Sequence, residues 1–161
     1  EGMNVEENFT LDISYSQLVV FQKGIENPFN DWEDTHVNQG FAWRPGSVSF
    51  GSLLADEESL IQINTKSQVG ISKNSIRAIV VPFEITQNCI IVASVTQEIK
   101  VNVLNGTYEL VFNVIPRSSK HRFNIYVLSF AEHKNPKPRI LLADKMLNPP
   151  NQLLMEAKPA I

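Results

Sequence analysis

A single cysteine, Cys89, stands in the apolar run 88–95, so an internal disulfide is excluded and the thiol is expected to pack as a small hydrophobe. Inside a strand it is also a poor candidate for a catalytic nucleophile. The three histidines, His36, His121 and His133, lie far apart without HxxxH or HxH spacing, which argues against a metal site; each is expected in an exposed polar loop. Only 7 of the 161 residues are glycine, and neither a glycine-rich phosphate loop nor a GxSxG elbow occurs. No uninterrupted apolar run reaches the roughly 18 residues of a membrane helix, and no apolar segment follows a basic N-terminus. Glu1-Gly2 ahead of Met3 reads as a cloning remnant. A cytoplasmic protein without cofactor or metal is expected, one that meets a membrane complex only through a partner.

What the chain does contain fits one folded domain. Its 161 residues are 43% hydrophobic and 19% charged, enough for a single core spanning residues 1–161, with 1–8 and 145–161 expected as irregular tails. The net charge is only −3, but its distribution is uneven. Residues 1–58 carry eleven Asp or Glu against Lys23 and Arg44, whereas residues 59–161 carry six against twelve Lys or Arg. If folding keeps the halves apart, an acidic pole and a basic pole result.

Hydrophobic periodicity is that of short strands. Leu11, Ile13 and Tyr15 alternate with Asp12, Ser14 and Ser16, then the phase slips to Leu18 and Val20, which predicts a bulge near Ser16-Gln17. Arg44-Pro45-Gly46 is a turn signal before Val48 and Phe50. Ile61 and Ile63 alternate with Gln62 and Asn64, and Pro82 inside 79–85 predicts an edge position or a bulge. Asn105-Gly106 predicts a type I′ hairpin pairing Val103 with Tyr108, Val101 with Leu110 and Ile99 with Phe112, with Glu109 and Asn113 on the opposite face. Phe123 to Ala131 reads as a central strand and 140–143 as a last one, with a turn of helix at 152–157. The fold class is mainly β: an antiparallel β-sandwich or flattened barrel with one short helix at about 31–39, opened by Asn30 and Glu33 and stopped by Gly40.

Around that helix, Glu26, Asp31, Glu33 and Asp34 fall within nine positions without a Lys or Arg, and Trp32 lies among them. Asp56, Glu57 and Glu58 form a second acidic loop. Their hydrophilic surroundings leave no reason for the raised pKa that a general acid requires, and the usual state of such a charge run is a solvated face. The sharper reading is a surface that meets a basic partner, with Trp32 as its anchor; a tryptophan at this place also reads as core. Direct binding of nucleic acid is disfavoured. The basic loops around Arg117, Lys120 and Arg122 and around Lys134, Lys137 and Arg139 interleave no aromatics, and the pI is near 5.6. A reading from another class is a ligand-binding module or hydrolase built on Trp32, Trp43 and Phe41 with facing carboxylates.

The run Ile13 to Lys23, then Asp31-Trp32 and Gly46 to Phe50, resembles the competence protein J family, inhibitors of a bacterial DNA-entry nuclease. Val81-Pro82-Phe83 with Asn88, Gly106 to Leu110, and Val114-Ile115-Pro116 follow in the same order, so the resemblance spans roughly residues 11 to 130. Matching positions are Ile13, Ser14, Tyr15, Gln17, Val20, Phe21, Gln22, Lys23, Asp31, Trp32, Gly46, Ser49 and Phe50. The resemblance implies a non-enzymatic protein that binds a nuclease, with no catalytic residue to carry over. The expected contact surface is Glu26, Asp31, Trp32, Glu33 and Asp34, with Asp56, Glu57 and Glu58 as a second patch mimicking DNA phosphates. An immunity protein against a nuclease toxin would use the same logic.

Overall fold

The computed structural model describes residues 5–161, and the expected cloning remnant lies outside them. The described residues form strands β1 (Glu6–Ile13), β2 (Gln17–Phe21), β3 (Phe41–Arg44), β4 (Ser47–Gly51), β5 (Glu57–Lys66) and β6 (Arg77–Ile85). Strands β7 (Ile90–Ala93), β8 (Glu98–Val101), β9 (Gly106–Ile115), β10 (Ile125–Glu132) and β11 (Arg139–Leu142) follow, and one helix, α1 (Asp34–Gln39), precedes β3. Two sheets face each other in the orders β1-β5-β10-β9-β6-β11 and β3-β4-β2-β7-β8. Neither sheet closes on itself, so the expected sandwich is the correct architecture. One pairing, β5 with β10, is parallel, which the long crossover between them through β6 to β9 permits.

The core lies between the sheets. Leu11, Ile61, Ile63, Ile79 and Val81 contribute from one side and Leu18, Val20, Val48, Phe50 and Val92 from the other. Phe50 stacks on Phe112 with ring centroids 4.3 Å apart, and Phe112 on Tyr126 at 5.7 Å, which locks the sheets face to face. Ile61 and Ile63 are buried as their alternation predicts, and β10 is a central strand. Pro82 lies on β6 beyond the reach of β11, which pairs only with Ala78 to Val80, so its missing N–H interrupts no ladder.

Four local expectations need correction. The phase slip at Ser16 is not a bulge. Tyr15 and Ser16 both take left-handed backbone (φ 55° and 59°), forming a two-residue reversal bridged by Ser14 and Gln17. Through it the chain leaves the six-stranded sheet and enters the other, so Tyr15 swings out to 75% exposure instead of joining Leu11 and Ile13.

The Asn105-Gly106 hairpin does not form. β8 pairs with β7 in the five-stranded sheet, while β9 pairs with β6 and β10 in the other. Neither Asn105 nor Gly106 adopts positive φ; the Asn105 side chain instead accepts from Asn88 N–H, and Asn88 returns the bond. Val101, Val103, Tyr108, Leu110 and Phe112 do face one core, but across the sandwich and not along a ladder. Glu109 and Asn113 are buried because Arg139 and the loop at Gly70 and Ser72 cover that face of β9.

The helix starts at Asp34, not Asp31, because Asn30 is occupied elsewhere: its amide bonds Ala42 O, Ser47 Oγ and Ser49 Oγ. Gly40 ends the helix at φ 89° with its N–H on His36 O, as predicted. Finally, no helix forms at 152–157. Residues 144–161 run as an extended strap whose backbone is tied down by side chains: Leu154 exchanges two bonds with the Gln39 amide, and Glu156 O accepts from His36. Asp31 N–H and Ala160 N–H complete the seam on Lys158 O and Phe29 O.

Candidate functional site

The chain between β2 and α1 decides which acids share a surface. β2 and β4 are antiparallel, with Phe21 opposite Ser47 at one end and Gln17 opposite Gly51 at the other. Leaving Phe21, the chain is held at the Ser47 end by Gln22 N–H on Gly46 O, and Glu26 sits there. It then crosses the outer face of the sheet, where Ile25 and Phe29 cover Val19, Phe21, Ile91 and Ala93. It arrives at the Gln17 end with Trp32, whose indole N–H donates to Gln17 Oε1 at 3.2 Å. Four strand residues separate these ends by about 13 Å. Glu26 therefore stands apart from Glu33 and Asp34, and the structure does not gather the first acidic group into one cluster.

The loop of the second acidic group joins the Gln17 end instead. Ser16 N–H donates to Ala55 O and Ser52 N–H to Ser16 O, which fastens residues 52–55 to the Tyr15-Ser16 reversal. Asp56 follows on that loop, exposed, and Glu58 lies opposite Asp12 in the β1–β5 ladder. Glu57 differs from its neighbours. Its carboxylate accepts from Leu54 N–H at 3.0 Å, Asn124 Nδ2 at 2.8 Å and the Tyr126 hydroxyl at 2.8 Å, so it braces the loop from within. Burial, and then the Glu57 charge, push the Tyr126 hydroxyl above its ordinary value and keep it a donor.

The acidic and basic poles are not separate, because the sheet interleaves the halves of the chain. β5 and β10 are neighbours, and the loop carrying Arg117, Lys120 and Arg122 leads into β10 beside Glu57, through Asn124. Even so, among the described residues the ion pairs are Arg77–Asp144 and Arg139–Glu109, and neither takes one of the exposed acids. Asp31, Glu33, Asp34 and Asp56 are exposed to solvent.

His36 is buried, against the expectation of an exposed loop. Glu33 N–H donates to its Nδ1 at 2.9 Å, so its Nε2 carries the hydrogen and donates to Glu156 O at 2.8 Å. Both ring nitrogens are occupied in fastening α1 to the strap. Among the described residues no His, Cys, Asp or Glu group is arranged to hold a metal.

At this same end a cavity of about 410 Å³ opens between α1, the Tyr15-Ser16 reversal and the strap. Trp32 is half-buried, forms part of its wall and belongs to neither buried apolar cluster, so it is not a core residue. The deep end holds Arg77, 1% exposed, paired to Asp144 through Nε (2.6 Å) and Nη2 (3.0 Å), with Nη1 on Gly51 O. Burial alone would raise the Asp144 carboxyl, but the Arg77 hydrogen bonds and charge outweigh it and hold it below the usual range. Sequence reading missed Arg77; the available signal was a lone arginine ahead of the apolar run 78–81. The aromatic platform does not exist. Phe41 is in the core, Trp43 packs on it with its N–H on Pro82 O, and only Trp32 reaches the cavity, which no carboxylate lines.

Comparison with known proteins places this geometry. The profile of the competence protein J family (ComJ) matches residues 10–132. A DNA-entry nuclease inhibitor of Bacillus subtilis (strain 168) is 31% identical over 114 residues, covering 66% of this chain and 80% of the relative. The crystal structure of ComJ from Bacillus subtilis, inhibitor of the DNA degrading activity of NucA, superposes with a TM-score of 0.73 at 26% identity, covering 81% of this chain and 99% of the other. The product of crocagin biosynthetic gene J superposes with a TM-score of 0.59 at 8% identity over 82% of this chain and 99% of its own, a likeness of fold alone.

Proposed function

The chain belongs to the competence protein J family, and on that premise we propose that it inhibits a DNA-entry-type nuclease by offering carboxylates where the enzyme expects phosphates. Its relatives are inhibitors, so the role is that of a binding protein and not of an enzyme. The observation that carries the reading is the contrast at one end of the sandwich: Asp31, Glu33, Asp34 and Asp56 are exposed and outside the ion pairs, although arginines elsewhere in the chain are paired. A nuclease groove that holds DNA is basic, so such a face attracts it over several ångströms and competes with the substrate. Glu26 is too far along the sheet to act with the others, and Glu57 is engaged internally; both leave the contact set. The free, buried Cys89 fits action in a reducing compartment.

The test is plasmid cleavage by the source cell's NucA-like nuclease with increasing inhibitor. Changing Asp31→Asn, Glu33→Gln and Asp34→Asn together is expected to raise the inhibitor concentration needed by about 10- to 100-fold while thermal unfolding stays in place. Unchanged inhibition would remove the phosphate-mimic mechanism.

A further inference from the structure

The cavity at the acidic end is apolar where the proposed mechanism is electrostatic. Tyr15, Trp32, Val37, Leu53, Met146 and Leu147 wall it, and its polar floor is already satisfied, since Arg77 is bound to Asp144 and Gly51 O. The deep end therefore offers no unpaired charge to a polar ligand, and the hydroxyls of Tyr15 and Ser16 lie at the exposed rim. Three of the wall residues stand in water at the mouth: Tyr15 is 75% exposed, Val37 56% and Met146 57%. Large apolar groups gathered around an apolar recess mark a contact surface.

Backbone strain points to the same place. Tyr15 and Ser16 occupy left-handed conformations that favour Asn-Gly, and nothing in the packing of this exposed ring repays that choice. The reversal holds the phenol at the rim of the cavity.

We propose that this cavity receives an apolar side chain that the nuclease carries within its basic surface, so that the acids steer the complex and the recess anchors it. The inference rests on the inhibitor reading above. Charge complementarity identifies the occupant. Asp34 precedes Val37 by three positions within α1, which puts both on one side of the helical turn, Glu33 caps the same end, and Asp56 borders the loop fastened to Tyr15-Ser16. An apolar group flanked by cations fits a mouth so bordered, whereas a second copy of this chain would bring carboxylates against carboxylates. Lys145, exposed beside Met146, marks the side where the partner's own acidic or neutral groups fall. Met146 and Leu147 lie beyond the matched residues 10–132, so this wall is shaped by the chain's own strap and suits its own nuclease.

Gly51 offers a way to close the recess from within. The nearest atoms to a Cβ built there are Gly40 O at 3.6 Å, Arg77 Nη1 at 3.7 Å and Trp32 Cη2 at 4.0 Å, ordinary contacts, so Gly51→Leu occupies the cavity beside the Arg77 guanidinium and leaves every exposed carboxylate in place. Calorimetric titration of the full chain with the NucA-like nuclease, at low and at moderate salt, reads the outcome. Gly51→Leu is expected to weaken binding about 30-fold with an unchanged salt slope, the signature of a lost anchor. Val37→Gln with Met146→Gln, which alter only exposed groups, is expected to weaken it in the same direction and serves if the plug disturbs folding. If either variant folds and binds like the parent, the anchor is wrong and the inhibitor reading stands. If the parent itself neither binds nor inhibits the nuclease, both fall.

Discussion

Two sets of carboxylates share one end of this sandwich and are treated in opposite ways. Glu57 and Asp144 are surrounded by donors: Leu54, Asn124 and Tyr126 for the first, Arg77 for the second. Asp31, Glu33, Asp34 and Asp56 are exposed and enter neither ion pair, and Glu33 faces only the His36 backbone N–H of the helix that it caps. The chain does hold cations and amides that could have neutralised them. Folding therefore depends on the first set, and the second is left for something outside the molecule. The consequence is that variants of the two sets should sort cleanly, one changing stability and the other changing binding.

The sharpest break should come at Arg77. Arg77→Ala leaves Asp144 charged in a half-buried site and is expected to cost about 3–5 kcal/mol, read as a large fall in Tm. Glu57→Ala removes the acceptor of three hydrogen bonds and is expected to cost about 1–3 kcal/mol. A smaller effect is expected from acid. Asp144 and Glu109 both titrate below their ordinary values: burial raises each, and the bonds and charge of Arg77 and Arg139 outweigh it. A depressed folded-state pKa contributes stability above the unfolded value and loses it as pH falls through the folded one. Urea midpoints should hold from neutral pH to about 5 and decline below about 4, and the decline should shrink in a Glu109→Gln, Asp144→Asn background. The smallest effect has the opposite sign. Exchanging Tyr15-Ser16 for Asn-Gly should raise stability by about 1 kcal/mol while weakening nuclease binding, which would place the strain on the functional side of the comparison.

Much of the architecture was legible because burial imposes period two: Ile61 and Ile63, the central β10 and the Pro45-Gly46 turn were all readable. Failures arose where a residue's partner lies far away in the chain. Asn105-Gly106 is a strong local hairpin signal, yet Asn88 captures the Asn105 side chain and the strands on either side enter different sheets. Asn30 looks like a helix cap, but Ser47 and Ser49 claim its amide. For the site, proximity in sequence was a partial guide. Glu33 and Asp34 do lie together, Glu26 is carried off by the crossing over the sheet, and Glu57 turns inward because Tyr126 and Asn124 stand beside it. The cavity was invisible, since its walls come from residues 15, 32, 37, 53 and 146–147. Only the fold assembles them.

The most direct test of the division between the two sets is the association rate of inhibitor and nuclease, followed by stopped flow across a range of salt concentrations. For the parent chain the rate should fall steeply as salt rises. With Asp31→Asn, Glu33→Gln and Asp34→Asn in place, it should start lower and vary far less, while Tm is unchanged. Equal rates and equal salt slopes for the two proteins would contradict the assignment of these free carboxylates to the nuclease.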